Sequence, residues 1–220
     1  MKKVAVILCG SGFRDGSEIR EAVGVLWALS QERAHVQCFA PDALQADVVN
    51  CLTGETMSHE KRNMLVESAR IARGDVKPLQ DLDVQSFDAL MIPGGFGAAK
   101  NLCNFAFKGS QGKVVPDLEK VIHGFYKSQK PIGAVCIAPA ILALALKGYS
   151  VSLTVGQPGE TSQEIEKLGH KHQATKVTEC YVDSQNRLVT TAAYMDSVAA
   201  LSDVFTGIQK CVQEVLRLTK

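Results

Sequence analysis

The chain has no run of 18 apolar residues, and its amino terminus, MKKVAVILCGSG, turns glycine-rich after six apolar positions. That stretch is too short for a spanning helix or for the apolar core of a signal peptide, so it reads as a strand of a soluble, cytoplasmic protein with no membrane partner. An excess of either charge is also lacking: 24 Lys and Arg stand against 23 Asp and Glu, and no basic tract interleaves with aromatics. Nucleic acid is therefore not an expected partner. The seven cysteines, at positions 9, 38, 51, 103, 136, 180 and 211, contain no C-x-x-C pair and no metal-ligand spacing. They read as reduced thiols in a reducing compartment, with no metal. Among the five histidines there is no H-E-x-x-H pattern, and GHKH reads as a solvated turn before it reads as a metal site. GSGFRDG misses the G-x-G-x-x-G register, and the following strand ends in Pro41 and Asp42 where a ribose-binding carboxylate would be wanted. No cofactor is expected. Internal repeats, low-complexity stretches and linkers are absent, which leaves one domain over residues 1–220.

What is present is alternation. Short apolar runs and helix-length amphipathic segments follow one another from end to end, the pattern of an α/β protein with a mostly parallel sheet covered by helices. KVAVIL (3–8), HVQCFA (35–40), FDALMI (87–92), PIGAVC (131–136) and VSLTV (151–155) read as strands. Two further strand-like runs flank the polar DSQN of 183–186. Helices are expected after DGSE, with Ile19, Val23, Leu26 and Leu29 on one face, over 60–73 closed by Gly74, over 117–129, after Cys136, near 160–169, and at the carboxyl terminus.

In open α/β sheets ligands bind beyond the carboxyl ends of the strands. Three loops there carry unusual residues: CGSGFRDGSE, PGGFGAAKNL, and Cys136 itself. If their strands are neighbours, Glu18, the backbone of Gly94 and Gly95, and Cys136 share one pocket. A helix amino terminus favours a thiolate, the PGG turn bares amides, and the N–H groups of Gly95 and Ile137 are candidates for an oxyanion hole. A partly buried Glu18 would have a raised pKa and could shuttle a proton. The plainer readings stay open: most buried cysteines are inert, and a glutamate in a first turn is often only favourable to the helix dipole.

The segments DGSEI, CFAPD, LTGE, ARIARG, PGGFGAAKNL, KPIG, CIAPA, TVG and AYM, in that order, closely resemble the enhancing lycopene biosynthesis (ElbB) proteins. These are glyoxalase-like members of the PfpI and class I glutamine amidotransferase-like superfamily. The resemblance covers nearly the whole chain. It implies a flavodoxin-like doubly wound sheet, a nucleophilic cysteine on a strained elbow at Cys136, a glutamate beside it at Glu18, oxyanion amides at Gly95 and Ile137, and a homodimer. The implied activity is a weak, cofactor-free conversion of small aldehydes or dicarbonyls, glyoxal to glycolate. Ile137 follows the cysteine directly, and TVGQPGE offers Gly156 and Gln157 where relatives carry histidine. A Cys-His pair of the protease or amidase kind is therefore not expected. Arg14 and Ala192 depart from the ElbB pattern as well. The alternative function is a redox-responsive protein whose pocket cysteine is oxidised rather than turned over.

Overall fold

The computed structural model describes residues 1–220. Its strands are β1 (Lys3–Ile7), β2 (His35–Ala40), β3 (Val76–Pro78), β4 (Ala89–Ile92), β5 (Ile132–Val135), β6 (Ser152–Leu153), β7 (Lys171–His172), β8 (Cys180–Asp183) and β9 (Leu188–Thr191). Its helices are α1 (Ile19–Gln31), α2 (Met64–Ile71), α3 (Ala98–Asn101), α4 (Phe105–Lys108), α5 (Pro116–Lys127), α6 (Ala138–Ala145), α7 (Glu160–Lys167) and α8 (Leu201–Leu218). The main sheet runs β3-β2-β1-β4-β5-β9-β8, parallel throughout except for the β8–β9 hairpin at one edge. This is a doubly wound, flavodoxin-like α/β fold. The chain winds outward from β1 to β3, then returns to β4 on the other side of β1. The sheet order therefore reverses between β1 and β4, the place where such sheets open a crevice.

Burial follows from that position. All four residues of β4 and all four of β5 are buried, as continuous apolar strands covered on both faces must be. Helices α1 and α8 pack on each other over one face, and α5 and α6 pack on each other over the opposite one. Every residue of α6 is buried, which fits its run of alanine and leucine.

Three expectations need correction. The buried stripe of α1 is Glu21, Ala22, Gly24, Val25, Ala28 and Leu29, while Ile19 and Val23 face outward. The tight approach of α8 selects the small side chains of this helix rather than its branched ones. VSLTV does not join the main sheet. The amides of Ser152 and Thr154 are taken by Asp183 Oδ2 at 2.7 Å and Thr190 Oγ1 at 2.8 Å, so β6 lies against the hairpin and pairs with β7 instead. The helix expected from residue 60 begins at Met64, where Asn63 accepts the Val66 N–H at 3.1 Å.

The excursion between β2 and α2 is tied to the carboxyl ends of the strands by buried polar groups. Asn101 Nδ2 and Gln45 Nε2 both donate to the Asp15 carbonyl, at 2.8 and 2.9 Å, and Asp15 Oδ2 accepts the Val49 N–H at 2.9 Å. Lys100 meets Asp47 at 2.7 Å with its side chain almost wholly enclosed. Since buried polar groups are costly unless paired, this network fixes the loop after β1 in one conformation.

Gly207 sits in the middle of α8 where the carbonyl of Val177 passes against the helix, and a Cβ there would overlap that backbone oxygen. Alanine would gain about 1 kcal/mol of helix propensity. Overpacking against backbone costs about 1–3 kcal/mol and outweighs it. Gly207→Ala is expected to lower the urea midpoint, with a net loss of up to about 2 kcal/mol, whereas a rise would show that helix propensity dominates.

Candidate active site

Cys136 ends β5 and starts the turn into α6 with φ of 61°, a left-handed conformation that a residue with a side chain rarely adopts. The surroundings impose it. The Cys136 N–H is held by the Thr191 carbonyl at 2.9 Å, and α6 follows at once with no freedom to shift. The elbow is the one expected from the sequence.

The carboxyl beside the sulfur belongs to Glu21. It has no solvent exposure, stands close enough to the Cys136 thiol to raise its pKa, and accepts the Gly94 N–H on Oε2 at 3.1 Å and the Tyr194 N–H on Oε1 at 3.2 Å. Glu18 lines the same pocket, but its carboxylate turns back to cap α1, accepting the Glu21 N–H at 2.6 Å. The role beside the thiol anticipated for Glu18 thus falls to the residue one turn further on. A sequence signal existed: Glu21, Val25 and Leu29 share one helical face, and a carboxylate aligned with two core residues is conspicuous.

Gly94 and Gly95 also take more specific positions than an open oxyanion hole. The Gly94 amide is committed to Glu21. A Cβ at Gly94 would come within 2.5 Å of the Cys136 Cβ and 2.6 Å of Glu21 Oε2, so only glycine lets sulfur, carboxyl and turn converge. The amides of Gly95 and Ile137 are directed at the Cys136 sulfur and favour its thiolate.

Opposing influences act on the pair. Burial first, then the neighbouring charge of Glu18, push Glu21 up to about 8. Burial and the proximity of Glu21 hold the Cys136 thiol well above its ordinary pKa, against the pull of the two amides. Near neutrality both groups keep their protons, and the two titrate as a unit. Burial likewise raises Glu18. Cys9, pushed up to about 12 by burial, is the packing thiol expected from its apolar flanks.

The pocket over Cys136 encloses about 260 Å³. Phe13, Phe96, Ile137, Tyr194 and Met195 supply apolar walls, and Glu18, Gly95 and Thr161 complete them. The Phe96 N–H donates to the Phe13 carbonyl at 2.7 Å, tying two of the loops together. No histidine lines the pocket: His170 is buried elsewhere, with Nε2 2.8 Å from the Ala143 carbonyl oxygen. Arg14 is outside the wall, stacked 5.1 Å over the Phe13 ring. Tyr194 and Met195 come from the turn after β9, which has no glycine-rich mark, and Thr161 from the first turn of α7, a small polar residue with nothing local to single it out. No group of three or more His, Cys, Asp or Glu side chains has the arrangement of a metal site, and no helix is long and apolar enough to cross a membrane.

Because Glu21 is raised in the folded state, the native protein keeps a proton that the unfolded chain releases above its ordinary carboxyl pKa. Stability should therefore fall as pH rises from about 4.5 towards 8 and level off above, with this proton contributing about 1.4 kcal/mol per pH unit at most. Glu21→Gln should flatten that slope, read from denaturant midpoints across pH 4–9. An unchanged slope would mean that Glu21 ionises freely.

Similarity to known proteins extends over the whole chain. It is 44% identical over 226 residues to the human mitochondrial protein named glutamine amidotransferase-like class 1 domain-containing protein 3, covering 99% of this chain and 83% of that one. The crystal structure of an isoprenoid biosynthesis protein with amidotransferase-like domain from Ehrlichia chaffeensis superposes with a TM-score of 0.92 at 39% identity, covering 99% of each chain. Glyoxalase III from Candida albicans shares the fold at 16% identity, with a TM-score of 0.63 over 100% of this chain and 98% of that one. The DJ-1/PfpI family pattern matches residues 2–205, and with the cysteine elbow and its buried glutamate in place, the chain belongs to the DJ-1/PfpI family.

Proposed function

We propose that the protein is a cofactor-free, glyoxalase-like enzyme that converts glyoxal-type dicarbonyls to hydroxy acids, glyoxal to glycolate. Cys136 is the nucleophile and Glu21 moves its proton. The observation that carries this reading is the close approach of a buried carboxyl to a buried thiol on either side of Gly94, with the backbone amides of Gly95 and Ile137 favouring the thiolate.

The sulfur bonds to the aldehyde carbon while its proton passes, through the Glu21 carboxyl, to the carbonyl oxygen, giving a neutral hemithioacetal. The hydrogen on that carbon then shifts with its electron pair to the adjacent carbonyl carbon, while the hydroxyl proton passes through the Glu21 carboxyl to the adjacent oxygen, leaving a thioester beside a carbinol. Water cleaves the thioester, releases the hydroxy acid and returns the thiol. One carbon is oxidised as its neighbour is reduced, so the sequence balances without an external oxidant or reductant. The Gly95 and Ile137 amides support the sulfur's negative charge as it departs. Burial, and after it the charge of Glu18 on the pocket wall, keeps Glu21 protonated.

The alternative, a pocket thiol that is oxidised rather than turned over, asks for a ready thiolate in contact with oxidant. Burial and Glu21 both oppose that thiolate, and Cys136 is 7% exposed. Turnover is favoured because the carbonyl itself accepts the proton. Incubation with glyoxal should yield glycolate, and Cys136→Ala should abolish it. Glu21→Gln should lower kcat about 100-fold by removing proton transfer, while Glu18→Gln costs only a few-fold. Glycolate at the Cys136→Ala level in the wild type would refute the enzyme.

The expected homodimer has a concrete candidate face. Most of the apolar side of α8 is consumed by the sheet through Val204, Ile208, Val212 and Val215, but Ile19, Val23 and Trp27 form an exposed stripe along α1, continued by Leu201. Such a stripe is self-complementary across a two-fold axis. Sedimentation should give twice 23.7 kDa, and Val23→Asp should shift it to the monomer. A wild-type monomer at micromolar concentration would rule the dimer out.

A further inference from the structure

Beside the Cys136 pocket lies a second cavity of about 620 Å³ that the chemistry above leaves unused. Thr161 and Met195 line both cavities. The partition between them is thus a small hydroxyl side chain and a thioether, the most adaptable of apolar side chains. Pockets that enclose small-molecule ligands span roughly 300–1,000 Å³. The larger cavity falls within that range and the one over the sulfur falls below it, so a substrate of ordinary size that reacts at Cys136 would extend into the larger cavity.

The two differ in chemistry. The walls near the sulfur are mostly apolar, whereas the larger cavity is lined by Gln157, Glu160, Thr175, Lys176 and Asp196 among others. Neither Glu160, Lys176 nor Asp196 is in an ion pair. An anion entering would meet two carboxylates, and a cation would meet Lys176 and the amino end of α7. Hydroxyl groups, each able to donate and to accept, suit every one of these partners.

We propose that the larger cavity holds the hydroxylated body of a sugar-derived 2-oxoaldehyde whose reacting aldehyde lies at Cys136. The proposal rests on the reading of Cys136 as a nucleophile towards dicarbonyls and narrows its substrate class. Bond changes are those already given, so the product is the corresponding 2-hydroxy acid and no co-reactant but water is needed.

The test compares kcat/KM for glyoxal, phenylglyoxal and 3-deoxyglucosone in the wild type, Gln157→Leu and Lys176→Ala, with Cys136→Ala as blank. Both substituted side chains are exposed and lie outside the Cys136 pocket, and Gln157→Leu gives up only a solvent-exposed bond from Gln157 Nε2 to the Thr175 carbonyl at 3.0 Å, so folding is not at risk. The wild type should prefer 3-deoxyglucosone over glyoxal by at least about tenfold. Each variant should lose about fivefold to tenfold on 3-deoxyglucosone, the weight of one hydrogen bond, with glyoxal unchanged. Cys136-dependent turnover of glyoxal with no preference for the sugar-derived compound overturns the proposal and leaves the enzyme reading intact. A preference for phenylglyoxal, or equal losses on all substrates, overturns it too. No acid above blank from any dicarbonyl defeats the enzyme reading and this inference together.

Discussion

A carboxyl with no access to water and a thiol with almost none face each other at the top of the sheet, and the ionisation of either is felt by the other. This pairing of Glu21 with Cys136 is the constraint on which the rest of the site depends. It requires a left-handed cysteine, a glycine at position 94 with no Cβ to intrude, and a helix that begins close enough to bring its first turn against the elbow. Glu18 links the last requirement to the first. Its carboxylate fixes where α1 starts, and the same charge disfavours ionisation of Glu21. Helix capping and proton affinity are therefore set by one side chain.

The strand order supplies the convergence. Because the sheet reverses between β1 and β4, the loops after β1, β4, β5 and β9 open at one place, each from a strand buried too deeply to move. A strained φ persists only where its surroundings over-determine it. Here the bond from the Cys136 amide to Thr191 holds one side of the elbow and the fully buried α6 holds the other. The loop after β1 has no such strand on its outer side, and the buried bonds of Asp15, Asn101 and Gln45 take over that duty.

Element order, sheet class and the elbow cysteine were legible in the sequence because each leaves a local mark: an apolar run, a capped amphipathic stretch, a cysteine between strand and helix. The short β3 and β7 left none, and β6, marked as a strand, gave no sign of leaving the main sheet, since side-chain acceptors on distant strands decide where it pairs. The glutamate was misplaced by one turn for a similar reason. Both Glu18 and Glu21 stand at a helix start, and what separates them is which one faces the sheet, a question settled by α8 packing against the small residues of α1. Glu18, Gly95 and Ile137 were placed around Cys136 in advance, but the rest of the walls was out of reach, because Thr161, Tyr194 and Met195 meet only through the fold.

The absence of histidine from the pocket poses a problem that burial solves. Proton transfer near neutral pH works best from a group whose pKa lies nearby, and an imidazole has that value without help. A carboxyl does not. Enclosing Glu21 and setting Glu18 beside it lifts the carboxyl to about 8, into the range a histidine would have occupied. The cost is that the thiol is raised as well, so this site does not hold a standing thiolate in the way a cysteine–histidine pair does. On the proposed function, this suits electrophiles whose own oxygen can take up the proton as the carbon–sulfur bond forms: an aldehyde meets that condition, whereas a resonance-stabilised amide meets it poorly.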